Sequence, residues 1–346
     1  MQPLRIAVMG AGLIGQRHIA QVRAAPETRL SAVIDPAPAG REAAARAGVP
    51  GYPAFAALPA AERPDGVIVA TPNRLHVENA LELVAAGIPV LVEKPIADSV
   101  AGARQLVEAA EAARVPLLVG HHRRHNPIIR KAREVIESGR LGRLVMLSGQ
   151  CWLIKPDAYF DVAWRRQEGA GPILVNLIHD IDLFRHLGGE ILDVQARMSN
   201  AVRGHAVEDS AAVLLRFANG ALGTLSVSDT AAAPWSWEMT SGENPAYPRQ
   251  DDESCCQIAG THGSLSVPQL DVWSYPSLRS WWEPLDRQRL PVVAEDPLRR
   301  QVRHFAAVIR GEETPLVSGR EGLATLRVIE AIGHATRGGG TVALAA

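Results

Sequence analysis

Lysine is nearly absent from this chain: of 36 lysines and arginines in 346 residues, only Lys94, Lys131 and Lys155 are lysines. Cysteine is scarce too. The three cysteines make no disulfide framework, since two of them, Cys255-Cys256, are adjacent and poor partners for each other. No apolar run approaches the ~18 residues that span a bilayer. Met1 leads straight into the strand-like Leu4-Arg5-Ile6-Ala7-Val8-Met9, without the charged stretch and cleavage site of a secretory leader. The cytoplasm is therefore the expected compartment, with no membrane partner. Neither sign of charge dominates, and a net charge of -1 leaves no basic footprint for nucleic acid. The histidine and cysteine spacings match no common zinc site, so no metal is expected.

What is present describes an ordinary globular protein, 47% hydrophobic and 21% charged. Its length exceeds the roughly 250 residues at which single cores stop growing, which suggests two domains. In the first third, runs at 4–9, 30–35, 66–70, 89–93 and 116–119 read as strands. The stretches 13–25, 41–47, 75–86 and 99–113 between them read as helices. Such alternation means a parallel sheet with helices on both faces. All seven tryptophans lie beyond residue 150. There the runs 144–152, 192–199, 210–217 and 221–228, with turn signals such as Asn219-Gly220, read as an antiparallel sheet. The expected division is at Val119-Gly120: a dinucleotide-binding domain over 1–120, then a substrate-binding and oligomerisation domain over 121–346.

Gly10-Ala11-Gly12-Leu13-Ile14-Gly15 follows the first strand and opens the first helix. Gly10 suits a tight turn, Gly12 lets backbone approach a pyrophosphate, and Gly15 allows close helix–strand packing. The N–H groups of Leu13 and Ile14 at the helix start then face the phosphates. Asp35 closes the second strand, 20 residues past Gly15, where a carboxylate can accept from ribose hydroxyls. It would also repel a 2′-phosphate, so NAD is expected over NADP. Ala70-Thr71-Pro72-Asn73, at another strand end, places Thr71 and Asn73 by the cofactor; His76 follows at a helix start and joins the candidate cofactor residues.

Lys94, in Val92-Glu93-Lys94-Pro95, ends a strand on that same edge. In a chain that otherwise uses arginine, a lysine suggests work that an always-charged guanidinium cannot do, such as handling a proton or polarising a carbonyl. Farther on, a 100° helical spacing over 171–186 gathers Asn176, His179, Asp182 and His186 on one stripe. Leu174, Leu177, Ile178, Ile181 and Phe184 form the core side. A histidine on such a stripe is either a satisfied structural group or a general base.

The glycine fingerprint, Glu93-Lys94-Pro95, Gly120 with Arg123-Arg124, Trp164-Arg165 and the helix bearing His179-Asp180-Ile181-Asp182 occur in that order. Together they resemble the glucose–fructose oxidoreductase / inositol dehydrogenase / MocA (Gfo/Idh/MocA) family. The resemblance implies a Rossmann domain joined to a domain with a large, mainly antiparallel open sheet. It also implies NAD(P)-dependent oxidation or reduction at a carbinol carbon of a sugar, cyclitol, sugar acid or related polyol, by homodimers or homotetramers. The family lysine carries over to Lys94 and the family histidine to His179. The family's acidic residue, four positions before the histidine, is Val175 here. Asn176 is the available substitute, able to bind a hydroxyl but not to take a proton. His179 is then the principal base, with Lys94 stabilising the developing alkoxide.

Glu93, Trp164 and Arg165 join the expected cofactor contacts. His122, Arg124, Lys155 and Trp235 join Asn176 and His179 as expected substrate contacts. Lys155 is equally compatible with a solvated loop. The segment from Pro234 to Tyr247 is long and aromatic, as lids and subunit contacts tend to be. A carboxylated cis-dihydrodiol is an alternative substrate. Two other readings compete: a retained NAD serving elimination or hydrolysis without net redox change, and an NAD-binding sensor that is not an enzyme.

Overall fold

The computed structural model describes residues 2–167 and 169–344. Two compact units emerge: residues 1–125 with 295–326, and residues 126–294 with 327–346. They differ from a single cut at residue 120, because a late segment returns to the first unit.

In the first unit, β1 (Leu4–Met9), β2 (Thr28–Ile34), β3 (Gly51–Tyr52), β4 (Gly66–Val69), β5 (Val90–Val92) and β6 (Leu117–Val119) form one sheet ordered β3-β2-β1-β4-β5-β6. Every pairing is parallel. The helices α1 (Leu13–Ala24), α2 (Pro38–Ala47), α3 (His76–Ala85) and α4 (Val100–Ala113) alternate with the strands. From Ile6 to Met9 both faces of β1 are buried, and its sequence is apolar over that stretch. Ile6 and Val8 share one core with Ile19, Val22, Ala43 and Ala44, and Ala7 and Met9 share the other with Leu83, Val84, Leu106 and Val107.

The second unit opens with α5 (Pro127–Glu137). Its sheet takes β7 (Leu144–Trp152), β8 (Ile191–Ser199), β9 (Ser210–Phe217), β10 (Leu222–Ser228), β11 (Cys256–Gly260), β12 (Gly263–Val267), β13 (Asp271–Ser274), β14 (Asp286–Arg289) and β15 (Val342–Ala343). The order is β14-β13-β12-β11-β7-β10-β9-β8-β15. Only the β7–β10 pairing is parallel, as expected of a mainly antiparallel sheet. Along β9 burial alternates strictly, the mark of a sheet with one covered and one open face. The covered face packs on Ile129 and Val135 of α5, on Ile178, Ile181 and Phe184 of α6 (Ile178–Gly188), and on Val328 and Ile332. The short α7 (Trp237–Thr240) lies in the aromatic segment 234–247, and Trp237 is buried in that same core. Anchored this way, the first half of the segment is not a free flap.

The returning segment contains α8 (Pro297–Ile309) and the start of α9 (Gly319–Gly338), whose residues up to Leu326 belong to the first unit. Val302 and Phe305 fill the core on the Ile6 and Val8 face. No strand–helix alternation marks 295–326 in the sequence, so only packing assigns it. Among the described residues, no helix is long and apolar enough to cross a membrane.

Candidate functional site

Strands β2, β1, β4, β5 and β6 end side by side, and the first-unit candidates follow from those ends. Gly10 has φ +93°, and a Cβ there would meet Ala70 O at 2.5 Å. A Cβ on Gly15 would stand 2.0 Å from Gly10 O, so α1 lies too close to β1 for any side chain. A Cβ on Gly12 would meet nothing within 4 Å, and no side chain caps α1 there. Open space at uncapped helix N–H groups is what a pyrophosphate requires. The residues present therefore fit a dinucleotide. Asp35 stands beside this turn, its Oδ2 accepting from Ala11 N at 2.7 Å and its Oδ1 from Ala37 N at 2.8 Å. The remaining lone pairs can serve a ribose diol. Asp35→Asn is expected to weaken NAD binding about tenfold or more and to narrow its preference over NADP, as read by titrating both dinucleotides.

Thr71 is tied down twice: its Oγ1 accepts from Asn79 Nδ2 at 3.0 Å, and its carbonyl lies 2.8 Å from His76 Nε2. The other ring nitrogen of His76 lies 2.7 Å from Pro95 O, so this buried imidazole joins the two loops. Asn73 begins an exposed turn at the same edge. Glu93 is buried, with Oε1 2.7 Å from His18 Nε2 and Oε2 accepting from Lys94 N at 3.1 Å. Burial pushes the Glu93 carboxyl up, but the His18 hydrogen bond and charge, then His122 and Lys94, bring it down to about 2. Lys94 and His122 thus both lie within electrostatic reach of one buried carboxylate. Arg124 is committed to an ion pair with Glu321 at 2.8 Å.

Next to it, burial and then the electrostatic influence of His304, His122, Arg300 and Arg124 hold His125 well below its usual 6.5. The unfolded chain therefore takes up a proton below about pH 6.5 that the folded one refuses. Stability is expected to fall as pH drops from about 6.5, by up to about 1.4 kcal/mol per pH unit for this group. Thermal melting should show that His125→Leu flattens the slope.

In the second unit the expected single helix over 171–186 is two pieces. Ile173–Leu177 is a π turn, with Ile173 N bonded to Glu208 Oε1 at 3.0 Å, and α6 follows. A 100° spacing does not hold across the wider π turn. Leu177, Ile178, Ile181 and Phe184 face the core as expected. His179 and Asp182 are buried as well, so the polar stripe does not face water. Asn176 is placed by a long-range contact instead: its Oδ1 accepts from Lys155 Nζ at 2.8 Å. Lys155 is not a solvated loop lysine. It is buried, 3.6 Å from Asp229 Oδ2 and 5.0 Å from the Tyr159 ring centroid. Burial pushes its ammonium pKa down, against the opposing pull of Asp229. Since Oδ1 of Asn176 is occupied by a donor, its NH2 is the group left to offer a ligand oxygen.

Arg165 stacks over Tyr159 at 4.1 Å and over Trp164 at 5.6 Å, which extends this cluster. Trp235 pairs elsewhere, edge-on to Trp152 at 5.6 Å and bonded to Glu253. Sequence reasoning missed His18, Tyr159 and Asp229. A signal existed for His18: it shares the stripe Gly15, His18, Ile19, Val22 on α1, and a polar group on a buried stripe needs a partner. Asp229 and Tyr159 carried none.

The family model described as "Oxidoreductase family, NAD-binding Rossmann fold" matches residues 4–121, and the GFO/IDH/MocA C-terminal domain matches 129–266. The rhizopine catabolism protein MocA of Rhizobium meliloti is 28% identical over 340 residues, 96% of this chain and 94% of that one. Inositol 2-dehydrogenase 2 of Saccharopolyspora erythraea is 28% identical over 356 residues, 98% and 94% of the two chains. The crystal structure of the WlbA dehydrogenase from Bordetella pertussis, in complex with NADH and UDP-GlcNAcA, superposes with a TM-score of 0.81. It is 26% identical and covers 100% of both chains. Both units are matched by models of one family, and this chain belongs to the Gfo/Idh/MocA oxidoreductases.

Proposed function

We propose that the protein is an NAD-dependent dehydrogenase or reductase acting on a carbinol carbon of a sugar, cyclitol, sugar acid or related polyol. The observation that carries this reading is Lys94, two residues past β5 on the sheet edge that bears the glycine turn and Asp35. When bound, the nicotinamide accepts or supplies the hydride. The backbone from Gly10 to Gly15 holds the pyrophosphate and Asp35 the ribose, with Thr71, Asn73 and Glu93 on the adjoining loops. Lys94 donates a hydrogen bond to the reacting oxygen and stabilises the charge that develops on it. His179 takes the hydroxyl proton in the oxidation direction and returns it in reduction. Asn176, in the place of an acid, donates to a neighbouring substrate oxygen. His122, Trp164 and Arg165 complete the proposed contacts, whereas Arg124, paired with Glu321, and Trp235, paired with Trp152 and Glu253, drop out of them.

Within this class, a sugar acid ranks above a neutral hexose. Buried Lys155, bonded to Asn176, is a cation suited to a carboxylate, and the WlbA relative was crystallised with UDP-GlcNAcA. Work in the cytoplasm belongs to the proposal, as does assembly as a homodimer or homotetramer through the second sheet. The assembly is supported by exposed Met146, Leu214 and Leu222 on β7, β9 and β10. The deciding experiment offers NAD with cyclitols, sugars, sugar acids with and without a nucleotide, and dihydrodiols, and follows NADH absorbance. NADH formation on a sugar acid is the expected result. Silence across the panel, with stoichiometric NAD retained through purification, would transfer support to a non-redox reaction on a resident cofactor.

A further inference from the structure

Helix α1 buries Gly15, His18, Ile19 and Val22 at the spacing of an apolar stripe. His18 is the titratable member of that stripe, and it is fully buried. Its Nε2 lies 2.7 Å from Glu93 Oε1, while Glu93 Oε2 accepts the backbone N–H of Lys94 at 3.1 Å. Because Glu93 is an ionised carboxylate, an acceptor only, Nε2 of His18 is the donor in this pair. The carboxyl group also packs against the residue that follows β6, where a Cβ on Gly120 would approach it to 2.8 Å. A carboxylate buried this closely is costly without a partner. His18 supplies that partner from a different element.

The residues flanking Lys94 are fixed separately. Val92 lies in the strand and is fully buried, and the Pro95 carbonyl lies 2.7 Å from His76 Nδ1. Strand and His76 therefore hold the ends of the turn, and the Glu93 carboxylate holds its middle through the Lys94 N–H.

We propose that His18 is a positioning residue for the reaction: by holding the Glu93 carboxylate, it sets where Lys94 leaves the carboxyl end of β5. This rests on the reading of Lys94 as donor to the reacting oxygen. Without His18, Glu93 loses its side-chain donor in a closely packed place, turns, and releases the Lys94 N–H. A displacement of about 1 Å at a catalytic group can cost about 10²-fold in rate.

The rarity of lysine makes the test clean. Protein labelled isotopically at lysine Cε has three lysines to observe, Lys94, Lys131 and Lys155, and the signal lost in Lys94→Ala identifies the first. In His18→Leu, the Lys94 signal is expected to move while the other two stay. Turnover should fall about tenfold to a hundredfold with NAD affinity retained. His18→Gln, which keeps an amide donor near the Nε2 position, should bring both readouts back toward wild type. His18→Leu combined with Lys94→Ala should be no slower than Lys94→Ala alone, since residues acting through one another are not additive. An unmoved Lys94 signal, or movement of all three with a lowered melting temperature, overturns the proposal. Wild-type turnover in Lys94→Ala would instead remove the catalytic role of Lys94, and the labelled signals would still show whether His18 holds it in place.

Discussion

Lys94→Ala is expected to lower turnover by about 10²–10³-fold, the loss seen when one preorganised donor to a developing oxyanion is removed. NAD affinity should barely change. In the proposed site the pyrophosphate is served by backbone around Gly12 and the ribose by Asp35, and neither position depends on the Lys94 side chain. The loss should therefore lie in kcat, the signature of an interaction made in the transition state rather than in the ground state. Lys94→Arg should not restore it. A guanidinium is planar, broader and always charged, whereas an ammonium offers a compact, rotatable set of donors. Steady-state kinetics on a verified substrate, with NAD titration of the same preparations, reads both quantities. Undiminished turnover in Lys94→Ala would end the assignment.

Replacement of His179 is the second large effect. General acid–base catalysis contributes about 10²–10⁴-fold, and His179→Asn should lose that much in the oxidation direction. The family's acidic position is Val175, which cannot share the proton, and Asn176 has no basic group to substitute. The diagnostic is the pH profile. In the wild-type enzyme, kcat/KM for oxidation should rise with pH as the imidazole loses its proton. In His179→Asn that limb should vanish and leave a low, flat rate. A variant that keeps the limb would assign the base elsewhere, with Lys155 the next candidate because burial already pushes its ammonium pKa down.

Much of the fold is legible in the chain because it is built from local signals. Expected strands at 4–9, 144–152 and 210–217 coincide with the observed ones to the residue. Doubly buried parallel strands read as continuous apolar runs, and β9 reads as an alternation, so burial leaves its mark on neighbouring positions. The glycine turn is legible for a similar reason. Gly10 needs a positive φ, and Gly15 must let helix and strand backbones touch.

Contacts made across many residues are not written this way. His18 and Glu93 are separated by 75 positions, and Lys155 and Asn176 by 21. Nothing beside Lys155 in the sequence distinguishes a solvated loop lysine from a buried one. Its burial beside Asp229, with the Tyr159 ring below and the Asn176 amide ahead, follows from how a π turn, a sheet and a short helical turn pack together. The return of 295–326 to the first unit is a similar case. Its apolar residues could cover either sheet by pattern alone, and packing of Phe305 against Gly66 settles which.

The sequence by itself determined the parallel nucleotide-binding sheet, the mainly antiparallel second sheet, the family and the residue types available for chemistry. Each of these rests on backbone preference or burial period, which act over a few adjacent residues. Tertiary structure alone decided the partners of those residues: His18 for Glu93, His76 for two loops, Lys155 for Asn176. A buried charge or amide must find its hydrogen bonds within the fold once water is gone, and which group answers it depends on every element packed around it.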